Sequence, residues 1–127
     1  MKIIDKYELA KCSYGTPFYH LDCCDSKGEY FQINEGIQIL TSNISLITSN
    51  GEVYFNGVCP LQPDLYDNYN CSGVFTEDLV QKSEFELFET DDDSNSYDDE
   101  DRFLILNKSE FKVILDELQN YYNMMKD

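Results

Sequence analysis

Ile44-Ser45-Leu46-Ile47-Thr48-Ser49-Asn50-Gly51-Glu52-Val53-Tyr54-Phe55-Asn56-Gly57-Val58 is the stretch that decides how this chain folds. β-Branched and aromatic residues flank Asn50-Gly51, the dipeptide that best accepts the two positive φ angles of a type I′ turn. The reading is a β-hairpin, with residues 44–48 running out and 52–58 returning. Upstream, residues 37–40, 29–33 and 18–23 carry the same strand chemistry, and the polar turn Asp25-Ser26-Lys27-Gly28 separates the last two. Ser13-Tyr14-Gly15-Thr16-Pro17 is a turn, because Gly15 tolerates positive φ and Pro17 disfavours helix in the residue before it. Asp5 followed by Glu8 is a capping-box-like start for a short helix that ends near Cys12.

Downstream, residues 59–73 hold Pro60, Pro63 and Gly73 and read as a loop, in which Tyr66 and Tyr69 serve as lids over the core or as interface anchors. Residues 76–81 suit a helical turn. Phe85 and Leu87 alternate with Glu84 and Glu86, the period of a strand whose wet face spaces the two carboxylates about 6.6 Å apart. Residues 103–106 form another strand. Asn107 then caps a terminal helix with Glu110 at its third position, and Phe111, Ile114, Leu115, Leu118, Tyr121, Tyr122 and Met125 recur at helical spacing. The expected fold is therefore α+β: a mostly antiparallel sheet, free to curl, with a short N-terminal helix and the C-terminal helix packed on one face.

The chain has 127 residues, a length that suits one domain over 1–127 with an acidic loop at 89–101. Its 25 acidic and 9 basic side chains give a net charge of −16. Such a chain repels nucleic acid, which carries one negative charge per roughly 1.7 Å of duplex, and it repels anionic membranes for the same reason. A hydrophobic content of 42% nevertheless places it outside the fully disordered acidic class. Lys2 and Asp5 interrupt any leader-like apolar start, and no run approaches the ~20 apolar residues of a membrane span, so the expected location is the cytoplasm. Cys12, Cys23, Cys24, Cys59 and Cys71 are an odd set that fits reduced thiols better than a disulfide framework.

The charge is concentrated. Residues 77–101 hold twelve acidic side chains and one lysine, a net of −11, which leaves −5 for the rest of the chain. Solubility alone needs a net charge of only about 2–8 in magnitude. Like charges crowded together also oppose folding through self-repulsion, so the arrangement favours a return in binding. The partner that fits is a basic protein surface, and basic surfaces are chiefly nucleic-acid-binding sites. Glu84, Glu86, Asp91, Asp92, Asp93, Tyr97, Asp98, Asp99, Glu100 and Asp101 are the candidate contact residues, with carboxylates standing in for phosphates. The bland alternative is a solvated acidic loop, which is what most charge runs are.

Other chemistries are poorly supported. Asp91, Asp93 and Asn95 follow the ligand spacing of an EF-hand loop, but Ser96 stands where glycine is needed and Arg102 where a bidentate glutamate belongs. No metal or cofactor is therefore assigned. Cys23 and Cys24 are adjacent and no Cys-x-x-Cys occurs, so His20 with Cys23 is at most half a zinc site and reads better as core. A single histidine, no Gly-x-Ser-x-Gly and no phosphate loop leave no recognisable catalytic set, and the expected protein is not an enzyme.

Two stretches carry a resemblance. Met1-Lys2-Ile3-Ile4 with Glu8-Leu9 and Gly15-Thr16-Pro17-Phe18, and Tyr97-Asp98-Asp99-Glu100-Asp101-Arg102-Phe103-Leu104-Ile105-Leu106 with Lys108-Ser109-Glu110-Phe111, resemble a family of small acidic phage and mobile-element proteins. They cover about a third of the chain, and Ser94-Asn95-Ser96 replaces the Arg-Asp-Gly-like turn of that family. The resemblance implies an anti-defence role of the anti-CRISPR or anti-restriction kind. Charge and resemblance together lead to a non-enzymatic inhibitor that blocks a nucleic-acid-binding defence effector. Two rivals stand beside it: an immunity protein against a basic toxin, and a sensor whose loop 59–73 and acidic run close over calcium or a nucleotide.

Overall fold

The computed structural model describes residues 1–34, 36–40, 46–47, 53–55, 58–59, 61, 76–82, 84–87 and 95–126. In chain order the elements are β1 (Lys2–Ile4), α1 (Lys6–Leu9), β2 (Pro17–Cys23), β3 (Phe31–Ile33), β4 (Gln38–Leu40), β5 (Leu46–Ile47), β6 (Val53–Phe55) and β7 (Val58–Cys59). They are followed by α2 (Glu77–Lys82), β8 (Asn95–Tyr97), β9 (Arg102–Ile105) and α3 (Lys108–Met124). The fold is α+β, and among the described residues every strand pairing is antiparallel.

The main sheet runs β1-β9-β2-β4-β7, with β3 beside the far half of β2, and among the described residues it stays open between β1 and β7 rather than curling closed. Its centre is β2 against β9, in the register Phe18↔Ile105 and His20↔Phe103. Residues of one parity on these strands share a face, and that face is the core: Ile4, Phe18, Leu40 and Phe103 are buried there with Leu9 of α1 laid over them. Phe18 and Phe103 meet edge to face with centroids 5.8 Å apart. α1 starts where the sequence places it, because the Asp5 side chain accepts the Glu8 amide at 2.9 Å.

The hairpin of the opening stretch forms, with Leu46↔Tyr54 and Ile47↔Val53. A two-residue Asn50-Gly51 turn sets Ile47 opposite Tyr54, so the observed register is one residue away from that expectation and leaves an odd number of residues between the paired ends. Residues 48–52 themselves lie outside the described residues. The single returning strand expected over 52–58 is instead two. β6 pairs with β5 and β8 in a second, three-stranded sheet, whereas β7 pairs with β4 in the main sheet. Apart from β7 and Leu61, the expected loop 59–73, including Tyr66, Tyr69 and Cys71, lies outside the described residues.

Two further expectations are corrected. Residues 84–86 are not a strand: only Leu87 makes a bridge, and Phe85 is 78% exposed. Alternation alone cannot hold a strand without a ladder partner. The C-terminal helix is present, with its full capping box of Asn107 and Glu110, but it does not lie along a sheet face. Phe111 and Ile114 in its first two turns are half-buried, and no residue of α3 is buried.

Candidate functional site

Three elements bring the C-terminal part of the acidic run against the body. β8 supplies Tyr97, a tight turn covers residues 98–101, and β9 leads away. The expected loop over 89–101 is thus a strand at residues 95–97. Asn95, Ser96 and Tyr97 are uncharged, and they can join Val53, Tyr54 and Phe55 without setting carboxylates opposite one another. Tyr97 is half-buried, its ring edge-on to Phe103 at 4.7 Å and tilted over His20 at 5.5 Å. It packs on the core rather than standing out as an anchor.

The turn is tied down by the chain's scarce cations. Lys6 is only 4% exposed, and its ammonium reaches Asp99 at 3.0 Å and donates to the Tyr97 carbonyl at 3.1 Å. The Tyr7 hydroxyl donates to the same Asp99 carboxylate at 3.2 Å. Burial works against the Lys6 charge, but the hydrogen bond and charge of Asp99 outweigh it and hold the ammonium above its ordinary pKa. Reciprocally, the Lys6 and Tyr7 hydrogen bonds hold the Asp99 carboxyl below the usual range. Asp101 accepts the Asp98 amide at 2.7 Å and lies 3.0 Å from His20 Nε2. Arg102, the chain's single arginine, donates to the Asp99 and Asp101 carbonyls at 2.7 and 2.9 Å.

The ten sequence candidates therefore divide. Asp99 and Asp101 are committed to internal bonds and Tyr97 to packing. Asp98 and Glu100 are exposed on the turn, and Glu84 and Glu86 are exposed after α2. Asp91, Asp92 and Asp93 lie outside the described residues. As for the EF-hand-like spacing, Asn95 and Ser96 are in a strand, where the loop needs its sharp turn. Among the described residues no group of three or more His, Cys, Asp or Glu side chains is placed to hold a metal. His20 and Cys23 are three apart on β2 and so point to opposite faces of the sheet.

Beside the turn is a cavity of about 460 Å³, lined by Cys23, Asp25, Lys27, Phe31, Glu100 and Arg102 among others. Sequence reading found the 25–28 turn but not the concavity, because nothing local shows that it faces residues 75 positions further on. Asp25 shapes it by accepting the Glu29 and Tyr30 amides at 2.9 and 3.0 Å, and those bonds, that of Tyr30 foremost, hold its carboxyl below the usual range. Cys23, Cys24 and Cys12 are free thiols; burial raises that of Cys12. The Cys23 thiol donates to the Asp25 carbonyl at 3.0 Å and has no imidazole beside it to activate it.

No family model matches this chain, and no curated protein and no solved structure matches it either. No helix among the described residues is long and apolar enough to cross a membrane.

Proposed function

We propose that this chain is a non-enzymatic acidic inhibitor that occupies a basic, nucleic-acid-binding surface of another protein in the cytoplasm, a component of a host defence system. The observation that carries this reading is a turn, pinned to the core through Lys6 and His20 and braced by Arg102, that presents Asp98 and Glu100 outward from a segment of net charge −11. A turn held in place before binding loses little conformational freedom on docking, and concentrated negative charge steers encounter with a basic surface. Glu84 and Glu86, also exposed, extend the same field. The resemblance to small phage and mobile-element proteins supports the defence context.

The immobilised chain should retain a basic nucleic-acid-binding protein from a lysate of its native host, and excess duplex DNA should release it by competition. A retained protein that duplex DNA fails to displace would count against occupation of a nucleic-acid site.

A further inference from the structure

The apolar stripe of α3 is laid out in sevens. Phe111, Leu118 and Met125 recur at that interval, Ile114 and Tyr121 fall between them, and Leu115 and Tyr122 flank the row. Leu115 and Tyr122 widen the row into a broad apolar seam, wide enough to receive a second helix along it. Exposure rises along it. Phe111 and Ile114 are half-buried against the body, and everything from Leu115 on is exposed.

We propose that the seam is covered by α3 of a second copy of this chain, antiparallel to the first. The area suffices. Tyr121 and Tyr122, 59% and 70% exposed, offer roughly 200–300 Å² per copy. With Leu115, Leu118 and Met125 the seam supplies on the order of 500 Å² per copy and 1,000 Å² in all, the lower limit of a specific interface.

Charge selects the orientation. α3 holds two lysines and three acids, a net of −1, so the remaining −15 lies elsewhere in the chain. Parallel helices set two such bodies side by side. Antiparallel helices set them at opposite ends of a pair about 25 Å long, at 1.5 Å per residue, which exceeds the Debye length of about 8 Å at physiological salt. Centred between residues 119 and 120, the antiparallel pair layers Leu118 on the partner's Tyr121 and Ile114 on the partner's Met125. Glu117 then opposes the partner's Met124, and no like charges meet across the seam.

The test is sedimentation equilibrium on the full chain at 150 mM salt, from micromolar to a few hundred micromolar. The expected species is twice the 14.8 kDa chain mass. Leu118→Glu should weaken association at least ~30-fold, as loss of a central hot spot does, with the body's thermal transition retained. Lysine crosslinking in a mixture of light and isotope-labelled chains should join Lys112 to the partner's Lys126. A monomer at every concentration overturns the proposal, as does a dimer that Leu118→Glu leaves intact. Links between the two Lys112 residues overturn the antiparallel orientation. A monomer whose α3 instead binds neutral lipid vesicles assigns the seam to a lipid surface and also overturns it.

Discussion

Lys6 concentrates the residue-scale physics of this protein. Its ammonium is buried at the first position of α1, yet its partner Asp99 is 78% exposed, so the pair fastens a wet turn to a dry core. Lys6→Met keeps most of the stem's packing and removes the charge. It should cost about 1–2 kcal/mol and lower the melting temperature by several degrees, with faster hydrogen exchange at the 98–101 amides; unchanged exchange there would show that the clamp is dispensable. The same pair sets a pH window. Asp99 is held below its ordinary value of 3.8, so its contribution is present above that value and is lost as pH falls through the lower folded value. Asp25 and Glu110 behave alike, the latter through the Asn107 amide and the Met1 ammonium. Lys6 is held above 10.5, so its contribution is present below that value and is lost as pH rises past it. Thermal stability should therefore be flat from about pH 5 to 10 with respect to these groups and decline outside. A melting temperature that rises below pH 4 would contradict the assignment. The Lys6–Asp99 pair was not legible in the sequence. A lysine in a first helical turn reads as solvated, and its partner is 93 positions away.

At the scale of elements, legibility followed the range of the forces involved. The caps of α1 and α3 were readable because Asp5 with Glu8, and Asn107 with Glu110, satisfy backbone donors within one turn. The hairpin was readable as a pairing but not in its register, and the division of its returning arm between two sheets depends on β4 and β8, far along the chain. Residues 84–87 misled because alternation marks a strand only when a ladder partner exists. The α3 stripe misled in the opposite way: the helix is real, but from Leu115 on its seam is exposed rather than packed on the sheet. Within a single copy, a helix with no buried residue leans on its own ends, and at concentrations where the chain is monomeric Asn107→Ala should therefore cost about 1 kcal/mol of helix stability. The far-ultraviolet circular dichroism of α3 should fall with it, and full helicity in that variant would show that something else holds the helix.

At the scale of the molecule, charge is partitioned. The sequence revealed the −11 segment, but only the structure separates the carboxylates that hold the turn, Asp99 and Asp101, from those left outward, Asp98 and Glu100. That separation defines a variant that discharges the surface and spares the clamp: Glu84→Gln, Glu86→Gln, Asp91→Asn, Asp92→Asn, Asp93→Asn, Asp98→Asn and Glu100→Gln together. The most direct measurement is the dissociation constant of the native chain and of this variant for the captured basic protein, at 50 and 300 mM salt. Between those conditions the Debye length shrinks from roughly 14 to 6 Å. The account predicts that native binding weakens at least ~10-fold over that range and that the variant binds at least ~100-fold more weakly at low salt. Equal affinities for the two chains, insensitive to salt, would contradict it.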